Sequence, residues 1–232
     1  MTTNSDVREL PAYGIPEAAH YLGLPTSTLR SWVLGQRYKD RNGVANFFEP
    51  VIDIADRATR QLSFTNLVEA HVLSGLRRRH NISLPKVRKA LEYLRNNFGS
   101  GRPLIEQRFA TDGLSLFVEE YGKLVDISHE GQLAMKNILE AHLKRIARDP
   151  QGVPIKLYLF TRGHKADEPE VVVIDPRVSF GRPVLTGTGI PTSIIAERYK
   201  SGESIESLAR DYGRSEEQIQ DAIRCELELE AA

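Results

Sequence analysis

Residues 179–193 read SFGRPVLTGTGIPTS. Glycines at 181, 187 and 189 and prolines at 183 and 191 stand beside hydroxyls and an arginine. That mixture suits either a phosphate-cradling loop or a rigid entry into a helical unit. A dinucleotide fingerprint needs GxGxxG between a strand and a helix, but Gly187 and Gly189 are followed by Ile190, Pro191 and Thr192, with no third glycine. A Walker loop needs a lysine after its last glycine, and none is present. The stretch therefore reads as a structural motif of Gly181, Arg182, Pro183, Gly187, Thr188, Ile190 and Pro191. Gly187 and Gly189 permit close approach or positive φ, Pro183 and Pro191 restrict the path, and Arg182 clamps it by hydrogen bonds.

Downstream, IPTSIIAERYKSG, SIESLARDYG and SEEQIQDAIRCEL have helical periodicity. Ser204 is positioned to cap the middle helix, and Ser215 with Gln218 has capping-box spacing. Ile190, Ile194, Ile195, Leu208, Ala209, Ile219, Ala222 and Ile223 are the expected core of a three-helix unit with a helix-turn-helix-like pattern. Its charge opposes DNA: residues 203–232 hold nine Asp/Glu against three Arg, and Glu216, Glu217 and Asp221 crowd the last helix.

A second unit of the same kind opens the chain. In YGIPEAAHYLGLPTSTLRSWVLG, Ile15, Ala18, Ala19 and Leu22 recur at helical spacing, Gly23 supplies a turn, and Leu29, Trp32 and Val33 stripe a helix over 26–34. Pro25 suits that helix's entry, with Thr26 or Ser27 as its cap. Residues 36–63 read as a small β wing. LSFTNLVEAHVLSGLRRRH gives another helix, started near Ser63 or Thr65, with Leu67, Val68, His71, Val72 and Leu76 on one face. LPKVRKALEYLRNNFG, starting near Ser83, turns Leu84, Val87, Leu91 and Leu94 inward. Seven Lys/Arg against Glu92 alone lie between Arg77 and Arg95. The chain is neutral overall, but residues 1–100 carry fourteen Lys/Arg against nine Asp/Glu, and the remainder seventeen against twenty-two. The leading unit therefore suits phosphate and the trailing one protein.

Between them, LIEQRF, LSLFVEE and KLVDIS read as short strands of a small antiparallel sheet, with turns at Asp112-Gly113 and Tyr121-Gly122. QLAMKNILEAHLKRIARD reads as a helix carrying Leu133, Met135, Ile138, Leu139, His142, Leu143 and Ile146 as core or dimer interface. IKLYLFTR and EPEVVVIDP read as two further strands around a polar turn with Gly163 and His164.

The 232 residues suit small modules rather than one large core. No apolar run approaches a membrane span and MTTNSDVREL has no signal-peptide character, so a cytoplasmic protein is expected. Cys225 is the single cysteine, which excludes an intrachain disulfide and a multi-cysteine metal site. His129 near Glu130, and His164 near Asp167 and Glu168, lack any motif that joins nucleophile, base and orienter. No enzyme activity, cofactor or metal is expected.

The stretch DPRVSFGRPVLTGTGIPTSIIAERYKSGESIESLARDYGRSEEQIQDAI resembles the DUF433 family. Matching positions are Pro176, Gly181, Pro183, Gly187, Thr188, Ile190, Gly202, Ser204, Ile205, Tyr212 and Ile219. Where that family often has an arginine after its GT pair, Gly189 stands here, so that arginine's interactions do not carry over. The N-terminal half is similar to a MerR-like winged helix-turn-helix. LSFTNLVEAHVLSGLRRR resembles a segment of longer proteins that join such a head to a DUF433 tail, known as VapB-type antitoxins paired with PIN-domain or PIN-like ribonucleases.

The resulting expectation is an α+β protein in three parts. Residues 1–99 form the winged helix-turn-helix with supporting helices, 100–174 a small central antiparallel sheet with helix, and 175–232 a three-helix, helix-turn-helix-like domain. The resemblance implies an antitoxin that represses its own operon, binds a PIN-domain or PIN-like ribonuclease, and works as a homodimer, alone or within a larger toxin–antitoxin complex. The expected DNA-binding residues are Thr26, Ser27, Thr28, Arg30, Arg37, Lys39 and Arg41. The alternative is a stand-alone transcription regulator whose C-terminal region senses a ligand or protein.

Overall fold

The computed structural model describes residues 6–39, 43–77, 84–99, 101–125, 128–163 and 167–227. A short strand β1 (Tyr13–Gly14) leads into α1 (Ile15–Tyr21), and α2 (Thr26–Leu34) comes next. The expected apolar residues are all buried: Ile15, Ala18, Ala19 and Leu22 from α1 and its end, and Leu29, Trp32 and Val33 from α2. The wing is a hairpin of β2 (Gln36–Lys39) and β3 (Ala45–Phe48), in antiparallel register with Arg37 opposite Phe47. Gly35 joins α2 to it at φ 77°, where a Cβ would run into the Phe48 carbonyl oxygen and the Phe47 ring. The chain returns through β4 (Gln61–Leu62), which pairs with β1.

α3 (Phe64–Arg77) is the central element, with its described side chains from Phe64 through Ser74 buried. Ser63 caps it by accepting from the Asn66 amide at 3.2 Å. The buried Asn66 then ties down the segment that leads into α3. Its carboxamide accepts from Ala55 N at 2.9 Å and Ser63 N at 3.1 Å, and donates to Asp53 O at 2.8 Å. Of the expected face, Leu67, Val68, His71 and Val72 are buried. α4 (Leu84–Phe98) turns Val87, Leu91 and Leu94 inward, as its spacing predicts; Ser83 lies outside the described residues.

Residues 104–125 depart from the sequence reading. The stretches expected as strands, LIEQRF and LSLFVEE, form a 3-10 turn (Pro103–Ile105), a π-helical turn (Phe109–Gly113) and α5 (Leu114–Val125), which also takes in the first three residues of KLVDIS. Leu114, Phe117, Val118 and Tyr121 all face the core, at the i, i+3, i+4, i+7 spacing of a helix. Gly122 is helical rather than a turn, and a Cβ there would strike the Gln132 side chain of α6 (His129–Lys144). On α6 itself Met135, Leu139, His142 and Leu143 are buried, while Leu133 is exposed and Ile138 half-buried.

The central antiparallel sheet lies later in the chain. Its order is β5 (Ile146–Arg148), β6 (Pro154–Tyr158), β7 (Val172–Ile174) and β8 (Val184–Leu185). The expected strands in IKLYLFTR and EPEVVVIDP are β6 and β7, paired at Leu157 with Ile174. β8 comes from within the glycine-rich stretch itself and pairs with β7, so that stretch contributes an edge to the sheet.

Three helices complete the fold: α7 (Thr192–Lys200), α8 (Ile205–Tyr212) and α9 (Glu216–Leu227). Ser204 accepts from Ser207 N, and Ser215 and Gln218 form the reciprocal capping box. Ile195, Leu208, Ala209, Ile219, Ala222 and Ile223 are buried and Ile190 is partly buried. Ile194, expected in the core, is 46% exposed, because α7 turns Ile195 and Ala196 inward instead. No helix among the described residues is long and apolar enough to cross a membrane.

Candidate nucleic-acid interface

The first three residues of α2 have no side-chain cap, because Pro25 occupies the N-cap position and carries no acceptor. The Thr28 and Leu29 amides are already bonded to the Pro25 carbonyl. A bare helix start of this kind favours an anion through its free amides and its dipole. Thr26, Ser27 and Arg30 are exposed on it, whereas Thr28 is buried and turned toward the interior.

The wing continues this surface. Residues opposite one another in an antiparallel pair share a face, so Arg37 lies with Phe47 and Lys39 with Ala45 on one side of the hairpin. Arg37 and Lys39 are exposed. On the other side Tyr38 stacks on Phe48 with ring centroids 4.0 Å apart, which stiffens the hairpin. Arg41 lies outside the described residues. Behind the wing, Arg88 of α4 donates to the Pro50 carbonyl at 3.3 Å, and Lys89 is exposed. Arg78 and Arg79, part of the basic run before α4, lie outside the described residues.

The glycine-rich motif packs against the head. The buried Tyr13 hydroxyl donates to the Gly181 carbonyl at 2.9 Å, and burial raises that phenol above its ordinary range. Gly181 has φ 75°, and a Cβ on it would meet the Tyr13 oxygen. Arg182 pairs with Glu17, the residue whose carboxylate also accepts from Gly14 N and from the Tyr21 hydroxyl. Pro183 lends its carbonyl to Thr192 N at 3.0 Å. Gly187 has φ 75°, Thr188 closes the turn through Leu185 O and Ile190 N, and Pro191 bridges to Val184. Gly189 lies outside the positive-φ set. The residues that sequence reasoning missed here are Tyr13 and Glu17, which only the folded chain brings to the motif.

The α9 surface is acidic at Glu216 and Glu217, both exposed. Asp221, expected to crowd the same surface, is fully buried. It accepts from Arg162 Nε at 2.8 Å and Nη2 at 2.7 Å and from Arg224 Nη1 at 2.7 Å, tying α9 to the loop after β6. His71 and His142 are buried core residues, with His71 Nε2 3.0 Å from the His142 carbonyl oxygen. His129 and Glu130 are exposed in the first turn of α6. His164 lies outside the described residues.

These features define a winged helix-turn-helix head clasped to a glycine-led helical tail. A family model described as "Putative DNA-binding HTH domain" matches residues 11–91, and one described as "Protein of unknown function (DUF433)" matches residues 172–224. Two proteins of Mycobacterium tuberculosis align along almost the whole chain. "Uncharacterized protein Rv2308" is 30% identical over 226 residues, covering 93% of this chain and 89% of that protein. "Putative antitoxin VapB45" is 28% identical over 230 residues, covering 93% of each. The crystal structure of Rv2018 from the same organism has the same fold, with a TM-score of 0.66 at 23% identity over 93% of this chain and 98% of that one. The chain belongs to the family of Rv2308: it is a DUF433-containing protein with an N-terminal helix-turn-helix domain.

Proposed function

We propose that the protein is a noncatalytic antitoxin of a type II toxin–antitoxin system, which represses its own operon and neutralises a PIN-domain or PIN-like ribonuclease. The observation that carries the DNA half is the joining of the uncapped, exposed start of α2 to a basic wing face. Thr26, Ser27 and Arg30 approach base edges and phosphate from the helix, while Arg37 and Lys39 hold backbone phosphates from the wing. A homodimer presents two such heads to the two halves of a pseudopalindrome. A MerR-like head with a wing of this kind agrees with that docking.

The antitoxin half is supported by the similarity to a protein named as an antitoxin, and by a tail whose exposed Glu216 and Glu217 suit a basic protein surface better than a phosphate backbone. Titrating DNA from upstream of the gene tests the first half. Arg30→Ala lowers affinity and flattens the salt dependence by about one unit of log K against log salt, and an unchanged slope removes Arg30 from the interface. Co-expression with the product of the adjoining gene tests the second half. A stable complex with silent ribonuclease activity is expected, and active ribonuclease beside excess chain contradicts it.

A further inference from the structure

Three of the eleven exposed large apolar side chains among the described residues, Tyr38, Val44 and Phe47, lie on or beside the two strands of the wing. All of β2 is exposed, and neither Tyr38 nor Phe47 packs into the apolar core. A lone two-stranded hairpin is marginal in water, so its rings need a reason to be there. Tyr38 has one, because its stack on Phe48 stiffens one face. Phe47 is on the other face and 48% exposed.

The Phe47 ring reaches over Gly35, where a Cβ would strike it, and so stands in the corner between the end of α2 and the wing. That corner is fixed on both sides. Gly35 holds φ 77°, and the returning chain is pinned to α2 by Val51 N and Ile52 N, which donate to the Trp32 carbonyl at 2.7 and 3.1 Å. Arg37 lies directly across from Phe47, and Lys39 follows on the same face, roughly 7 Å along the strand. Within the two strands that face holds Arg37, Lys39, Ala45 and Phe47, with no carboxylate among them. An apolar ring set beside two cations matches a polyanion that also offers an apolar surface. Duplex DNA does so in its grooves, with phosphates on the rims and sugars and base edges between them.

We propose that Phe47 enters the minor groove of operator DNA as a wedge at one base step, with Arg37 and Lys39 on the flanking phosphates. An aromatic ring gains nothing from a phosphate, but a side chain of this kind inserted from the minor groove partly unstacks a step and kinks the duplex. Pyrimidine–purine steps yield most easily, so the wing selects its site by deformability where no base edge is hydrogen-bonded. The contact rests on the DNA half of the proposed function and adds to it a residue that reads shape.

Titration of the full chain with a duplex from directly upstream of the gene tests it, with 2-aminopurine replacing adenine at one TA or CA step at a time. Wild type is expected to raise the fluorescence at a single step, where the probe unstacks, and Phe47→Ala at none. Phe47→Ala also weakens binding about tenfold at every salt concentration, with the slope of log K against log salt unchanged, because a ring releases no counterions. Arg37→Ala lowers that slope by about one unit, and Phe47→Leu, which keeps an apolar wedge, stays close to wild type. Wild type that leaves every step dark overturns the wedge whatever the variants do, since a ring that only shaped the wing would leave the bases stacked. Phe47→Ala that binds the duplex at full strength, or that loses only the capture of the adjoining gene's product, overturns it too. In those cases binding that still depends on Arg30 and Arg37 keeps the DNA reading, whereas wild type that binds no upstream duplex removes both.

Discussion

The α1–α2 and α8–α9 connections close in the same way. Gly23 has φ 59° and Gly213 φ 60°, and each turn is sealed by an amide reaching back five residues, Leu24 N to Ala19 O and Arg214 N to Ala209 O, both at 2.9 Å. The helices entered from the two turns are unlike. α2 starts with Pro25 and leaves its first amides without a side-chain acceptor, beside Arg30, Arg37 and Lys39. α9 starts with Ser215, whose capping box with Gln218 occupies its own amides, and then places Glu216 and Glu217 on the surface. One turn geometry thus serves two surfaces, and the caps and charges, not the backbone, set an uncapped helix start beside basic residues apart from a capped, acidic one.

The two ends also bury a carboxylate in opposite ways. Asp221 is held between the guanidinium groups of Arg162 and Arg224. Glu69 on α3 accepts from Asn66 at 3.2 Å, and burial pushes its carboxyl up to about 7. Removing the shared anion is the largest expected effect: Asp221→Ala loosens α9 from the sheet and costs about 3 kcal/mol in thermal or denaturant unfolding, with half-site DNA binding retained. Equal stability of that variant would erase the contrast.

Glu69→Gln comes next and has the reverse sign. A carboxyl raised in the folded state binds more protons there than when unfolded, so its presence makes stability fall as pH rises from about 4.5 to about 7 and leaves the full penalty above. The amide keeps the Asn66 contact without the charge. The variant is therefore more stable than wild type at pH 8 by up to about 3 kcal/mol, with the gain fading below pH 5. A pH-independent difference contradicts the assignment.

Smaller still, Arg30→Ala weakens operator binding about tenfold at moderate salt without lowering the melting temperature. Smallest is Ser215→Ala, which costs about 1 kcal/mol by uncapping α9 and leaves DNA affinity unchanged. An operator defect in the Ser215 variant would transfer the interface to the tail.

The two helix-turn-helix-like units were legible because their signals are local. The 26–34 helix, the Gly23 turn and the Ser215–Gln218 box each lie within a few residues of sequence, and the structure reproduces them. LSLFVEE was not legible, because Leu114, Phe117, Val118 and Tyr121 satisfy a helix only when Gly113 and Gly122 are allowed inside it, and sequence reading treats both glycines as turns. The GRP motif was recognisable as rigid, but its reason was not. Tyr13 and Gly181 are 168 residues apart, and no periodicity announces that contact. Asp221 misled for the same cause: Glu216 and Glu217 stand about one helical turn before it, and the Arg162 that holds it lies 59 residues away.

Chemical-shift mapping of backbone amides on titration with operator half-site DNA tests the division between the two ends most directly. Shifts concentrated at 26–30 and 36–39, with 215–227 unmoved, are the expected result. Shifts along 215–227 with a silent 26–30 segment would contradict it.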